Sequence, residues 1–393
     1  MTKARDIADS TKTLDVDGGT IKLDGNYPVG TANVALGDAA GAAITSGGRN
    51  TLIGGSAGDA LTVGQRNVVI GTDALSADTQ GSRSVAIGQA ALANQNFTSA
   101  TDNYNVAVGF QAGVNISTGI KNTFIGGLSG DATTTAEENT AVGYESMTTN
   151  TTGGDNSASG AYSLRMNTTG SNNAAMGYSA LEQNSTGGSN TAVGYKALEA
   201  NTTADNNTAV GYQAGYTNQT GTLNTFIGRL AGYSNTASKN TFVGNGNGYT
   251  NSSGQENTSV GDRAFYFNTT GSNNDSFGTG SLENNTTGSH NTASGSYALN
   301  KNTIGTDSTA VGYHALYASL GTTGSAGNTG VGSKAGKGTT TGYNNVYVGH
   351  EAGHYGTAHT TGLGGTYLGA YAGASAAAAT SELVVAAGGI QTG

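Results

Sequence analysis

The chain has no cysteine, no tryptophan and a single proline, Pro28, in 393 residues. Without cysteine there are no disulfides and no thiolate-ligated zinc or iron–sulfur centre. Charge is also scarce, with 10% of residues charged and a net charge of −9. Phosphate recognition needs clustered basic side chains, so nucleic acid is not expected as a partner. No apolar run approaches the length of a membrane-spanning helix, so no membrane insertion is expected. The opening Met1-Thr2-Lys3-Ala4-Arg5-Asp6 is charged and lacks the apolar core of a signal peptide. Helix is not expected either, because no 3.6-residue period survives a glycine every few residues.

What is abundant is glycine, 66 residues, off collagen's three-residue period. The glycines fall on a 17-residue unit, seen in Asn190-Thr-Ala-Val-Gly194-Tyr-Lys-Ala197-Leu198 and again from Asn207 through Gly211. With that glycine as position 0, about 20 copies run from Gly37 to Gly369. A fixed short period predicts a parallel β-solenoid, an all-β fold whose length is set by copy number rather than by a globular core. Stacked coils place equivalent side chains about 4.8 Å apart. A repeated Lys or Glu would then form a like-charge ladder. Asn, Thr and Ser avoid it, which accounts for the missing charge.

Position −4 is Asn in 17 of the 20 copies, with Ser84, Ser308 and Gly365 as exceptions. Position −1 is apolar in 18, position −3 is mostly Thr with Val at five sites, and position +3 is mostly Ala. Each coil is expected to hold an extended piece over −4 to −1, a glycine bend, a second short extended piece and a polar return. Alternation puts −3 and −1 on one face and −2 on the other. The expected core is −1, part of −3 and the Ala at +3. Position −2 is also apolar, and two apolar faces on one strand must both be covered. We therefore expect a partner chain in a closed homotrimer, with a subunit seam at Ala192, Ala209, Phe226 and Phe242.

The run Ser84-Val85-Ala86-Ile87-Gly88-Gln89-Ala90-Ala91, and likewise Asn105-Val106-Ala107-Val108-Gly109, resembles the head repeat of YadA-type trimeric autotransporter adhesins. The resemblance implies a left-handed β-roll, an intertwined homotrimer and an adhesive role. The unit here is longer than in those heads, and no stalk or membrane anchor is expected. Thr2 to Ser10 is similar to the opening of tailed-phage fibre and appendage proteins, and long Asn-Thr-Ala-Val-Gly-Tyr arrays are similar to those of marine phage fibres.

Together these resemblances predict a phage fibre or virion appendage on the particle surface. Residues 1–32 are its virion-attachment arm and hairpin, 33–376 the β-roll and 377–393 a capping tail. Lys3, Arg5 and Asp6 are expected to dock to capsid or tail proteins, and the roll to a host cell-surface glycan or protein. The alternatives are a bacterial adhesin head and, from the Thr row at −3, an ice-binding solenoid.

Two motifs suggest chemistry and are read as repeat sequence. His350-Glu351-Ala352-Gly353-His354 fits H-E-x-x-H but overlies positions +1 to +5, in a β context where a zinc site needs a helix. Gly54-Gly55-Ser56-Ala57-Gly58 fits G-x-S-x-G with Ala57 at +3. No enzyme activity, metal or cofactor is expected. The candidate binding surface is the aromatic set at +1: Phe110, Tyr144, Tyr178, Tyr195, Tyr212 and Tyr313. The coils lengthened around Asn94–Tyr104, Ser319–Ala326 and Tyr355–Leu363 are further candidates. Ser159 and Ser294, polar at −1, are accompanied by Tyr162 and Tyr297, expected to fill core volume.

Overall fold

The computed structural model describes residues 32–321, 326–354 and 358–386. The arm, its expected hairpin and the docking residues Lys3, Arg5 and Asp6 lie outside the described residues, as do parts of the two later inserts. The chain divides into two compact units, Met1–Asn190 and Thr191–Gly393. Each is a parallel β-solenoid built on the 17-residue period.

In both units the three residues at −3 to −1 form the strand of each rung. The first unit runs from Val34–Leu36 to Ala174–Met176, and the second from Thr191–Val193 to Leu383–Val385. Pairing is parallel and in repeat register, as in Thr191↔Thr208, Ala192↔Ala209 and Val193↔Val210. Three-residue strands are far too short to be stable alone, so each rung depends on its neighbours. Where a second extended piece was expected, residues +1 to +6 instead turn tightly. Left-handed backbone recurs there at +2 and +4, as at Lys196 (φ 55°) and Leu198 (φ 49°). The expected tail boundary is also displaced. Leu383–Val385 pairs in register with Thr366–Leu368, so the roll continues by one rung, with Glu382 in the asparagine position and Ala386 in the glycine position.

The strands alternate as expected, but with the opposite sense. Position −2 faces inward: Ala192, Ala209, Phe226 and Phe242 are fully buried within their own coil. Positions −1 and −3 face outward, with Ile125, Val142, Ile227 and Val311 each about two-fifths exposed. The reason is the narrowness of the coil. Its interior holds −2, the Ala at +3 and the residues at +4 and +7, and between −2 and +4 there is room for only one side chain of leucine size or larger. The sequence respects that limit. Each bulky −2 residue, Leu52, Phe124, Phe226, Phe242, Tyr347 and Tyr367, is matched by glycine at +4 of its own coil. Coils with Ala or Ser at −2 carry Leu, Met or Phe at +4, unless the next coil's −2 is bulky. A Cβ on Gly215 would sit 2.7 Å from the Phe226 ring and 2.8 Å from Leu198.

The asparagines close each coil and join it to the next. Asn139 Nδ2 donates to the Gly153 carbonyl of its own coil at 2.9 Å. Its Oδ1 accepts the Asn156 amide of the next coil at 3.0 Å. Both groups are buried, so each side chain satisfies two backbone groups that water cannot reach. Asn139→Leu, similar in shape, should cost roughly 2–5 kcal/mol by orphaning them. Accelerated amide exchange at Asn156 is the readout, and unchanged protection there would refute this role. A second ladder runs at +7, where Asn167 Nδ2 donates to Asn150 Oδ1 at 2.8 Å. Several of the sparse charges stack as opposite pairs. Lys121 meets Glu138 at 2.6 Å and Lys334 meets Glu351 at 2.7 Å, each pair one rung apart and opposite in sign.

Candidate functional site

The largest organised surface is the outward strand face. Along it the −1 row is Val, Ile, Leu, Met or Phe, interrupted by Ser159 and Ser294, and the −3 row is mainly Thr or Val. Nothing within the chain covers these rows among the described residues: no −1 side chain there is fully buried. The four seam candidates are therefore displaced. Ala192, Ala209, Phe226 and Phe242 are core residues of one chain, and their outward neighbours Val193, Val210, Ile227 and Val243 occupy the exposed face. In the twelve rungs of the second unit, three residues wide, the face spans roughly 600 Å². A strip of that size with an apolar row along it is of the kind that marks an interaction surface.

The +1 aromatics are outward and between 43% and 50% exposed, so they are accessible as expected. Their arrangement limits what they can bind. Tyr195 and Tyr212 are parallel, with centroids 5.3 Å apart, so each covers one face of the other. Tyr144 and Tyr178 both contact Tyr162 edge-on, at 5.8 and 5.5 Å. Tyr162 is thus part of the surface aromatic cluster, not a core filler. Tyr297 is likewise partly exposed, at 37%. Tyr313 stacks on His314 at 4.0 Å. Sugar rings stack on free aromatic faces, and much of this set has its faces occupied by other rings.

A longer ladder was missed from sequence. Tyr216, Tyr233, Tyr249 and Tyr266 all stand at +5 and stack with centroids 5.2, 5.0 and 5.0 Å apart, within 10° of parallel. Their spacing of 17, 16 and 17 residues was the available signal. The Lys196 ammonium lies against Tyr195 and Tyr216, and the Arg263 guanidinium lies over Tyr266.

The insert at Asn94–Tyr104 packs onto the preceding coil. Thr101–Asp102 pairs in parallel with Gly81–Ser82. Asp78, buried beneath, accepts the Gly81 and Phe97 amides at 3.0 Å and the Gln95 amide at 2.7 Å. Burial pushes its carboxyl above the usual range, and these donors partly offset the shift. Ser84, one of the exceptional −4 residues, adjoins this insert, and Asn103 supplies the missing acceptor to the Asn105 amide at 3.3 Å. The exception and the insertion compensate one another.

The two motifs read as repeat sequence occupy repeat geometry. Glu351 is bound to Lys334, which holds its carboxyl below the usual range. Burial, with Lys337 nearby, lowers the His354 imidazole. No group of three potential ligands is placed to hold a metal ion among the described residues. Ser56 stands in the left-handed conformation (φ 52°) shared by most coils at +2. At the C-terminal end, buried Tyr347 and His359 are hydrogen-bonded at 2.6 Å, and Thr339 donates to the Tyr347 hydroxyl at 2.9 Å.

The fold and this outward face define a β-solenoid repeat protein with an uncovered strand face. No protein-family model and no curated protein matches the chain.

Proposed function

We propose that the chain is a non-enzymatic structural protein that assembles as a homotrimer through its outward strand face. In this reading it forms a projecting fibre or appendage of a tailed-phage particle and attaches it to host surfaces. The observation that carries the proposal is the uncovered −1 row. Burying the strip of either unit would supply a large part of the roughly 800 Å² per partner typical of a stable interface. A second copy is the natural occupant, because its own rows repeat at the same spacing and match rung for rung. Closed rotational symmetry then satisfies every copy without open-ended growth. The arm at residues 1–32 would dock to capsid or tail proteins, and the outer surface would meet a glycan or protein on the host.

The corrected seam gives a sharp test. Val193→Glu with Ile227→Glu places charges on the outward face two rungs apart, where they form no like-charge ladder and a monomer tolerates them. Light scattering should give three times 38.8 kDa for the wild type and 38.8 kDa for the variant. Circular dichroism should be unchanged. A wild-type monomer, or a variant that stays trimeric, overturns the seam. Ala192→Glu, by contrast, buries a charge inside the coil and should lose the fold itself. Detection of the chain in purified phage particles, and competition of the free protein with adsorption, test the virion reading. Absence from particles sinks it.

The Thr row at −3, half-exposed beside Val in consecutive rungs from Thr191 to Thr258, gives the ice-binding reading a specific observation. Thermal hysteresis by the wild type, lost in Thr208→Leu/Thr225→Leu, would support it, and no hysteresis would remove it.

A further inference from the structure

We propose that Arg49 and Arg66, continued one rung on by the ion-paired Arg83, form an anion-binding column that takes an acidic polysaccharide, a glycan bearing carboxylate or sulfate groups. The proposal deepens the attachment reading above by naming the class of surface polymer and its site.

The three arginines share position −5 in consecutive coils. The Arg66 amide donates to the Gly48 carbonyl at 3.1 Å and the Arg83 amide to the Gln65 carbonyl at 2.9 Å. Their backbones therefore climb one rung at a time, about 4.8 Å per step. Elsewhere in this column a cation is met by an acid one rung on. Lys121 meets Glu138 at 2.6 Å and Lys239 meets Glu256 at 2.8 Å. The rule is kept at Arg83 and broken at Arg49 and Arg66. Arg83 is held by Asp102 at 2.9 Å and lies over the Tyr104 ring. Arg49 and Arg66 are exposed, and no carboxylate lies within ion-pairing distance of either among the described residues. Stacked like charges destabilise a parallel array. Two uncompensated arginines in succession, in a chain of net charge −9, oppose both the local pattern and the overall balance.

The surroundings select the ligand. Residues 46–53, 63–70 and 80–87, the parts of the three coils around the arginines, contain no acidic and no aromatic residue. Without acids, nothing within these stretches competes for the guanidinium groups. Tyr104, at −5 of the next coil, is exposed, but Arg83 lies over its ring, so the column offers no row of free aromatic faces on which successive bases could stack, as single-stranded nucleic acid would need. Guanidinium forks bind carboxylate and sulfate in two-pronged fashion. Ser46 and Gln65, both exposed and close in sequence to the arginines, can meet sugar hydroxyls. A linear polymer of acidic sugars laid along the rungs would present its charges in sequence to successive arginines. In a trimer the column would occur three times, and weak contacts would sum by avidity.

The test uses the full-length protein. Fluorescence anisotropy would follow binding of labelled heparin oligosaccharides (sulfate and carboxylate) and oligogalacturonate (carboxylate only), against neutral dextran and an oligothymidylate of matched length, each at two ionic strengths. Binding to at least one acidic glycan, weakened by salt, is expected. Arg49→Gln/Arg66→Gln should lose about tenfold or more of that affinity. The same variant should melt no lower than the wild type at low salt, because it relieves repulsion. This is a readout that a structural role for the arginines would move in the opposite direction. Equal binding to dextran, an unaffected variant or a destabilised one overturns the proposal. So does oligothymidylate binding more tightly with the same arginine dependence. Acidic-glycan binding by a protein absent from phage particles would remove the virion reading and leave the site standing. Particles that contain the protein and adsorb to cells, with no acidic glycan bound, would remove the site alone.

Discussion

Alanine at Gly126 should cost roughly 3–6 kcal/mol, while alanine at the next residue, Gly127, should be nearly silent. Gly126 holds φ +140°, a region that side chains disfavour, and a Cβ there would lie 2.6 Å from the Gly143 carbonyl carbon in the next rung. That neighbour is backbone and is fixed by its own ladder, since the Gly143 amide donates to the Ile125 carbonyl at 2.8 Å. It cannot yield without separating two rungs. At Gly127 the nearest atom to a Cβ is Tyr144 Cδ2 at 3.7 Å, an ordinary contact. Amide exchange at Gly143 and thermal unfolding of the two variants read the difference. Equal effects at the two glycines would show that the fixed glycine is a sequence habit and not a requirement of rung spacing.

Phe124→Ala should lose about 3–5 kcal/mol by opening a cavity. Gly130→Leu alone should also destabilise, because its Cβ would lie 2.6 Å from Phe124 Cε1. Combined, they rebuild a coil of the Ala158/Leu164 type, small at −2 and Leu at +4, and should recover more than half of the loss. Left-handed backbone at +4 is no obstacle, since Leu164 holds φ 50°. Some deficit should remain, because Gly113 also contacts Phe124, at 2.9 Å from its would-be Cβ. A coupling of at least about 2 kcal/mol between the two sites is expected from the double-mutant cycle. Simple additivity in denaturant unfolding would refute one shared interior volume.

Much of this was legible before any coordinates. The 17-residue period gave the solenoid, the in-register ladders and the near-absence of charge. It also placed H-E-x-x-H and G-x-S-x-G within the repeat. The +1 aromatics were placed correctly on the outside. Tyr178, Tyr195 and Tyr212 stand at +1 of consecutive coils, so a ladder was legible; which rings stack and which meet edge-on was not, because ring orientation depends on local packing. Tyr216 to Tyr266 could have been found by reading the period at +5. The tail was assigned as a cap because Glu382 and Ala386 replace the residues that mark a rung, while the strand at Leu383–Val385 persists through backbone pairing that tolerates those replacements.

The sequence by itself determined the period, the parity of the strand and the need for glycine at a fixed place. Tertiary structure alone decided which side of the strand is inside. Parity says only that −2 opposes −1 and −3. The common expectation places the larger branched residues in the core, which would have put Val193 in and Ala192 out. The width of the coil reverses that expectation. A rung turning within 17 residues has room between −2 and +4 for one side chain of leucine size or larger, so small residues often line −2 and Val or Ile is displaced onto the face left uncovered.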